Sequence, residues 1–164
     1  MTYSLTAKKL RSLLHYNPGT GVFIWLVAKK GHRAGLPAGA DHNRGYRTIT
    51  VNGAAYLAHR LAWLYMTGEW PKHLIDHKDG DKKNNRWENL REATPRQNGQ
   101  NRGAQKNSKS GVKGVSWSLL HGKWTARIKA GGVYRNLGYF STIDAAADAY
   151  NEAAQRHFGE FAKC

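Results

Sequence analysis

The spacing of apolar positions divides the chain into short helices and strands. In "SLTAKKLRSLL" the apolar residues lie on one helix face, with Ser4 or Thr6 as N-cap, and "NPG" at 17–19 predicts where this helix ends. The run "VFIWLV" has the length of one buried strand. Further on, "GYRTITVNGAAYLAHRLAWLYMTG" predicts a hairpin that turns at Asn52-Gly53 and leads into a helix near residues 59–66.

The last third of the chain has a different order, with strands first and one helix at the end. In "GKWTARIKA", apolar Trp124, Ala126 and Ile128 alternate with a polar set, Lys123, Thr125, Arg127 and Lys129. This alternation predicts a half-buried strand with a cationic outer face. A turn at Gly131-Gly132, a strand in "YRNLGYF" and a helix capped by Ser141, three residues before Asp144, complete the pattern. That helix should turn four residues toward the sheet: Ala146, Ala149, Tyr150 and Ala153.

A polar stretch, "NGQNRGAQKNSKSG", separates these two parts. It contains glycine and cations and has no apolar periodicity, so it reads as a linker that could itself follow a phosphate backbone. We expect a first module over residues 1–102, a basic linker over 103–110 and a second module over 111–164.

Charge points to a polyanionic partner. The chain carries 26 Lys and Arg against 11 Asp and Glu, a net charge of +15. Six Trp and eight Tyr indicate a folded protein, because disordered chains are poor in aromatic residues. Neither a long apolar run nor a basic amphipathic helix is present, which favours nucleic acid over a membrane.

The sequence gives few indications of the cellular compartment. The start "MTYSLTAKKLRSLL" does not resemble a signal peptide, and we expect an intracellular protein. The single cysteine, Cys164, can form neither an internal disulfide nor a cysteine zinc site.

The acidic residues are concentrated in one segment of the chain. Five of the 11 acids lie between residues 76 and 92, whereas residues 93–143 hold nine Lys or Arg and no acid. Carboxylates gathered in this way would repel DNA phosphates unless a cation lay between them. The acidic segment therefore predicts a metal site.

Hydrolysis of a phosphodiester needs a nucleophilic water, a base and positive charge on the phosphoryl oxygens. Asp76 and Asn98 offer oxygen donors that suit Mg²⁺. His77 is a suitable base near neutral pH and follows Asp76 at a predicted strand end, where the two side chains should point to opposite faces. Asp76 is then expected to hold the metal while His77 faces water. In "EATPRQN", Thr94 as cap and Pro95 as first helical residue would place Asn98 in the first turn of a short helix.

The spacing of these residues within "DHKDGDKKNNRWENLREATPRQNGQN" resembles the HNH endonucleases of the ββα-metal type, and especially their phage and homing-type branch. The resemblance covers residues 45–102 and includes "AHRLAWLYMTGEWP". It implies that Asp76 and Asn98 bind one divalent ion, that His77 is the general base and that Asn89 orients it. Asn98 stands where the family often has His, which favours Mg²⁺ or Mn²⁺ over zinc.

The C-terminal module resembles the AP-two type DNA-binding domain of plant ethylene-response factors, through "GVKGVSW", "KWTARIK", "LGYF" and "AAADAYNEAA". Such domains lay a three-stranded antiparallel sheet in the major groove. Carried over by position, the groove face would hold Lys113, Ser116, His121, Arg127, Lys129, Tyr134 and Asn136. Three further cations of the polar stretch "NGQNRGAQKNSKSG" are expected DNA contacts: Arg102, Lys106 and Lys109. Ser116, His121 and Asn136 stand where plant domains often carry Arg and Trp, so no target sequence carries over.

Both resemblances together imply an α+β protein. Its first module would be a ββα-metal nuclease unit with an N-terminal helix and hairpin, and its second a small three-stranded antiparallel sheet packed on one helix. The implied activity is metal-dependent cutting or nicking of double-stranded DNA at chosen sites, with 3′-hydroxyl and 5′-phosphate ends. We expect one metal ion per active site, no small-molecule cofactor and no membrane partner.

The sequence leaves open which DNA sequence is the target, whether one DNA strand or both are cut, and which oligomeric state the protein has. The rival hypothesis is a non-catalytic DNA-binding regulator with a relic HNH fold, against which the intact motif weighs.

Two further features have plain structural interpretations. Asp79 and Asp81 flank Gly80 and suggest calcium, but they are not at EF-hand offsets, so turn formation is the better interpretation. His59 is expected to be a structural or phosphate-side histidine. The remaining histidines outside the two motifs lack partner spacing and are expected at the surface or in packing: His15, His32, His42, His73 and His157.

Overall fold

The computed structural model describes residues 5–28, 31, 33–105 and 107–163. The chain forms two compact units, Met1–Thr94 and Pro95–Cys164. Both mix helices with antiparallel strands, so the α+β class expected from the sequence is confirmed. Within the described residues, no helix combines the length and the apolar character needed to cross a bilayer.

The first unit contains two helices and seven strands in the described residues. In chain order these are α1 (Ala7–Leu13), β1 (Leu14–Asn17), β2 (Val22–Trp25), β3 (Ala40–Asp41), β4 (Arg47–Val51), β5 (Ala54–Leu57), α2 (Ala58–Thr67), β6 (Leu74–His77) and β7 (Leu90–Ala93). They form three antiparallel sheets, in the orders β1-β2, β3-β4-β5 and β6-β7. One apolar core holds the unit together, with Leu10, Leu14, Leu61 and Ala62 completely buried in it.

Helix α1 begins as expected and ends earlier than expected. Its N-cap is Thr6, whose hydroxyl accepts a hydrogen bond from the Lys9 amide. The prediction that "NPG" ends this helix is wrong, because the backbone turns extended at Leu14 and β1 follows. The physical reason is alternation: Leu14 and Tyr16 are buried while their neighbours in β1 are exposed, so this stretch satisfies a strand better than another helical turn. The residues of "NPG" instead belong to the end and turn of a β1–β2 hairpin.

The second hairpin is confirmed. β4 and β5 join through Asn52 and Gly53, which have φ values of 51° and 81°. Positive φ at both turn positions is the requirement of a tight hairpin turn, and Asn-Gly meets it at low cost. Helix α2 follows β5 directly and contributes the buried His59 to the interior of the unit.

The β6–β7 pair carries the acidic segment. Its register places Asp76 opposite Arg91 and His77 opposite Leu90. The connection between the two strands, residues 78–89, ends in a short 3-10 helix over Trp87–Asn89. The strand position predicted for Asp76 and His77 is therefore confirmed.

The second unit holds α3 (Pro95–Gln100), β8 (Val115–Ser118), β9 (Lys123–Ala130), β10 (Val133–Phe140) and α4 (Ile143–Phe158). The strands form one antiparallel sheet in the order β10-β9-β8, with the expected turn at Gly131-Gly132. The N-cap of α4 is Thr142, which accepts a hydrogen bond from the Ala145 amide. The prediction of Ser141 as cap was thus wrong by one residue, because either hydroxyl has the right chemistry and only the backbone decides between them.

Candidate active site

The carboxylate expected to bind metal lies in a buried ion pair. Arg91 donates to Asp76 Oδ2 from both Nε and Nη2, at 3.0 and 2.9 Å. Asp76 is only 5% exposed and Arg91 only 9%, so bulk water screens this pair poorly. β-sheet register brings them together, since they are direct partners on β6 and β7. Arg91 therefore holds the Asp76 carboxylate in place.

The expected general base lies in an aromatic and polar enclosure. The ring of His77 meets His59 of α2 edge-on, with 5.0 Å between ring centroids, and its centroid is 6.1 Å from that of Tyr46. Its Nε2 is 3.1 Å from Oδ1 of Asn85. His77 is 4% exposed, so the expectation that it faces water is wrong. Side-chain alternation does separate it from Asp76, but α2 covers the face that it enters.

Burial sets the protonation of both histidines. It lowers the pKa of His77 below its usual 6.5, although the hydrogen bond to Asn85 and the nearby carboxylates act to raise it. Burial, with smaller contributions from His77 and Arg60, lowers the pKa of His59 to about 3. Both rings are therefore neutral near pH 7. A neutral imidazole is the form that can accept a proton from water.

Asn89 fixes the loop that joins the two strands. Its Nδ2 donates to Asp79 Oδ1 at 2.9 Å and to the Asn84 carbonyl at 2.8 Å, while its Oδ1 accepts from the Asp79 amide at 3.1 Å. Asn89 is 7% exposed, so these bonds are shielded from water. The hydrogen bonds described for Asn89 go to this loop, and its role in orienting the base stays a prediction.

The turn interpretation of Asp79 and Asp81 is confirmed. Asp79 Oδ1 accepts from the Asp81 amide at 2.8 Å, and Asp81 Oδ1 accepts from the Lys83 amide at 2.9 Å. Burial acts to raise the pKa of Asp79, but hydrogen bonds from Asn84, Asn89 and the Asp81 backbone outweigh it and lower that pKa. Both carboxylates thus stabilise backbone turns, as aspartates commonly do.

Sequence reasoning missed Asn85. It is 2% exposed and touches His77, whereas motif spacing singled out Asn89. The available signal was the doubled Asn84-Asn85 in a polar loop, which is also the normal composition of a turn. Only the loop path shows which amide enters the site.

Asn98 lies in α3, half-buried, and Pro95 is the first helical residue as expected. The hydroxyl cap by Thr94 stays a prediction. The carboxylate of Asp76 and the amide oxygen of Asn98 are hard donors of the type that Mg²⁺ and Mn²⁺ prefer. By their chemistry, both side chains suit a divalent ion, and their joint binding of one ion stays a prediction.

The sheet of the second unit presents several of the expected DNA contacts on one face. Tyr134 is the direct partner of Lys129, and Asn136 that of Arg127, and direct partners share a face. Ser116 joins them through its partner Thr125. The Lys129 ammonium lies 4.9 Å from the centroid of the Tyr134 ring. We call Ser116, Arg127, Lys129, Tyr134 and Asn136 the outer face.

His121 reaches the edge of this face by stacking. Its ring lies 3.9 Å from that of Tyr139, and Tyr139 is the strand partner of Thr125. Sequence reasoning missed Tyr139, although its place in "LGYF" put it on a predicted strand. Thr125 was expected to be exposed and is 1% exposed, because it sits on the central strand between Ser116 and Tyr139.

Lys113 differs most from the expectation. It precedes β8 and is half-buried, and its ammonium donates to the carbonyls of Gly99 and Gln100, at 3.5 and 2.5 Å. Burial, and then the nearby Arg102 charge, lower its pKa. Its placement on the sheet face was therefore wrong: the ammonium binds the last carbonyls of α3, where cations stabilise a helix end.

The three linker cations lie in irregular backbone or outside the described residues. Arg102 and Lys109 are exposed, as a DNA contact requires. Lys106 lies outside the described residues.

Comparison with known proteins finds one family and several similar proteins. Residues 56–100 match the model of a family described as HNH endonuclease. Protein 3.8 of Escherichia phage T7 is 34% identical over 106 residues, which is 64% of this chain and 87% of the phage protein. An uncharacterized HNH endonuclease of Acanthamoeba polyphaga mimivirus is 36% identical over 119 residues, 72% of this chain and 61% of the viral protein.

One solved structure was also found to be similar. It is that of the HNH homing endonuclease I-HmuI, described for DNA binding and cleavage. The alignment covers 83% of this chain and 76% of that one, with 21% identity and a TM-score of 0.42.

Proposed function

Because the chain belongs to the HNH endonuclease family, we propose that it hydrolyses phosphodiester bonds of double-stranded DNA at selected sites with one Mg²⁺ or Mn²⁺ ion. The observation that carries the residue assignment is the buried, neutral His77 next in sequence to Asp76, whose carboxylate Arg91 holds. A base and a metal-ligand candidate then occupy adjacent positions of one strand. Whether one strand or both are cut is decided by experiment.

In the proposed reaction His77 takes the proton of the attacking water. Neutral imidazole is required for this step, and burial favours it. Asp76 and Asn98 would hold the divalent ion, which when bound supplies positive charge to the phosphoryl and leaving oxygens. Arg91 holds the Asp76 carboxylate in position. The products would be 3′-hydroxyl and 5′-phosphate ends.

Asn89 acts on the base indirectly in this proposal. It binds Asp79 and the Asn84 carbonyl, so it fixes the loop that approaches His77. Loss of Asn89 should then impair the base without any direct contact between the two side chains.

We further propose that the second unit is an AP-two-like targeting domain. Three features support it: a three-stranded antiparallel sheet, a single helix on its inner face and cations on its outer face. Strand pairs of this kind fit the major groove, where Arg and amide side chains read base edges. Arg102, Lys106 and Lys109 would contact the phosphate backbone before this sheet. The first module would then span residues 1–102 and the targeting module 111–164.

We also propose a homing-type role, in which the enzyme acts on DNA inside a host cell; the similar proteins come from a phage and a giant virus, and one of them is named an HNH endonuclease. Double-stranded DNA is the partner we propose. No small-molecule cofactor takes part in the proposed reaction.

The test is cleavage of supercoiled plasmid and source DNA by the purified chain, with Mg²⁺ or with EDTA. Mg²⁺ should convert supercoiled DNA to nicked or linear forms, and EDTA should stop it. His77→Ala should lower the cleavage rate by ~10²- to 10⁴-fold and leave DNA affinity nearly unchanged, since a general base acts only in the chemical step. His15→Ala, on the exposed face of β1, is the matched control. Undiminished cutting by His77→Ala would remove His77 from the mechanism.

A further inference from the structure

The amide of Asn85 faces His77 in a fixed orientation. Its Oδ1 is 3.1 Å from His77 Nε2, and its Nδ2 donates to the Lys83 carbonyl at 3.2 Å. A carbonyl oxygen accepts hydrogen bonds and cannot donate, so only the NH₂ end of the amide can face Lys83. The oxygen end must therefore face the histidine ring.

This orientation determines the tautomer of His77. An amide oxygen can only accept, so the hydrogen on Nε2 must lie between the two groups. Neutral imidazole carries one ring proton, and with that proton on Nε2 the lone pair is on Nδ1. Asn85 thus selects which nitrogen of His77 is basic.

Asn85 is itself held by the β1–β2 hairpin. The Tyr16 hydroxyl donates to the Asn85 carbonyl at 2.6 Å, and both side chains are almost fully buried. Just beyond Asn85, the Trp87 amide donates to the Pro18 carbonyl at 3.0 Å. Gly21 approaches so closely that a Cβ there would lie 2.4 Å from the Asn85 carbonyl carbon. Three hairpin residues, Tyr16, Pro18 and Gly21, therefore fix the backbone at Asn85 and directly after it.

We propose that Asn85 is a positioning residue that holds His77 with Nδ1 as its basic nitrogen, and that the β1–β2 hairpin is an integral part of the active site because it holds Asn85. The inference rests on the proposed role of His77 as base. It assigns to Asn85 the direct contact that motif spacing gave to Asn89, and to Asn89 the shape of the loop. It also makes Tyr16 and Gly21 positioning residues that act through Asn85, although both lie outside the residues that match the family.

The first experiment reads the tautomer without cleavage. Full-length protein labelled with ¹⁵N in histidine is measured by two-bond ¹H–¹⁵N correlation at pH 8 in EDTA, with His77 assigned through His77→Gln. The Nε2–H pattern is expected for the unchanged chain and for Asn85→Asp, which keeps an oxygen acceptor. Asn85→Leu has similar volume and no acceptor, and should show a substantial Nδ1–H population. Asn43→Leu makes the same replacement at an exposed asparagine outside this loop, and as the control it should keep the Nε2–H pattern.

The second experiment separates positioning from folding. Single-turnover cleavage by Asn85→Leu should fall by roughly 10- to 100-fold, the usual cost of losing an orienting partner, while the Kd for DNA stays unchanged. Asn85→Asp should recover most of that rate. Tyr16→Phe, which keeps the ring and loses the bond to Asn85, should slow cleavage in the same direction and by less.

Two outcomes overturn the proposal. One is an unchanged Nε2–H pattern in Asn85→Leu. The other outcome applies if Asn85→Leu does not fold. In that case, a folded Asn85→Asp chain that no longer cleaves DNA would overturn the proposal. Failure of the proposed function has a different signature, because undiminished cleavage by His77→Ala would refute the base assignment whatever tautomer Asn85 selects.

Discussion

Asp76 and Arg91 are direct strand partners and form a buried ion pair, with 2.9 Å between Asp76 Oδ2 and Arg91 Nη2. Removing one member of such a pair leaves the other charge buried without its partner, which typically costs about 3–5 kcal/mol. A loss of activity in Asp76→Ala would therefore mix lost metal binding with lost folding. Asp76→Asn also leaves Arg91 without its counterion, but it keeps the shape of the side chain and one oxygen acceptor for the guanidinium, so it should lose less stability than Asp76→Ala.

The proposed metal ligands, Asp76 and Asn98, are tested by titration of the divalent ion. Asp76→Asn and Asn98→Ala should each raise the Mg²⁺ concentration needed for half-maximal cleavage or abolish cleavage, since each removes one of few protein ligands. Unfolding in urea should show that Asp76→Ala loses far more stability than Asn98→Ala, whose side chain is only half-buried. If either Asp76→Asn or Asn98→Ala has the Mg²⁺ titration of the unchanged chain, that residue is not a ligand.

His59 makes the stability of the first unit depend on pH. Its folded pKa of about 3 lies below the usual 6.5, so between these values the unfolded chain binds a proton that the folded chain excludes. Stability is therefore full above pH 6.5 and falls as pH falls. Between pH 7 and 5 this one group should cost about 2 kcal/mol, and the lowered pKa of His77 acts in the same direction.

The measurement is urea unfolding at pH 7 and pH 5 in EDTA. His59→Phe keeps a ring beside Tyr46 and removes the titrating group, so its stability should change less between the two pH values. His59 Nδ1 is also buried without a hydrogen-bond partner among the described residues, which makes Phe easier to accept. His15→Gln, exposed on β1, should behave like the unchanged chain. If His59→Phe loses as much stability between pH 7 and pH 5 as the unchanged chain, the pH dependence does not come from His59.

The outer face predicts a salt dependence. Arg127→Gln combined with Lys129→Gln removes two exposed cations from β9. If both contact phosphates, the slope of log affinity against log salt should become shallower by about 1.8, at about 0.9 per contact, and cleavage sites should become less selective. Arg156→Gln is the control, because Arg156 lies on α4 in an ion pair with Glu152. Point substitutions are preferable to a truncation after Gln100, which would also remove the Lys113 contacts to α3.

Gly114 should be irreplaceable in the second unit. Its φ is +73°, and a Cβ there would lie 2.3 Å from the Tyr150 ring and 2.5 Å from the Arg127 carbonyl oxygen. Gly114→Ala should lower the stability of this unit by more than the ~1–3 kcal/mol of positive-φ strain alone. Gly122→Ala separates strain from contact, because Gly122 has a φ of +57° and open space around it. Equal thermal shifts in the two variants would show that the clash is relieved.

The sequence predicted elements better than it predicted their ends and partners. The Asn52-Gly53 hairpin, the helix after it and the β9–β10 pair followed from local signals that tertiary packing does not change. The end of α1 did not, because "LLHYN" satisfies either a helix turn or a strand, and pairing with β2 decides. The ion pair of Asp76 with Arg91 depends on strand register, and the choice of Asn85 over Asn89 depends on the loop path. Neither is encoded in residue spacing.

In β9, the side chains that hold the sheet on α4 differ from those that face solvent. Ala126 and Ile128 pack inward, while Arg127 and Lys129 project outward from the same backbone. Replacements at exposed, unstrained positions usually change stability by no more than about 0.5 kcal/mol. Under the proposed targeting role, single substitutions on the outer face could therefore change the preferred DNA site while the inner side chains still hold the sheet on α4. A new target preference would then not require a passage through an unfolded intermediate sequence.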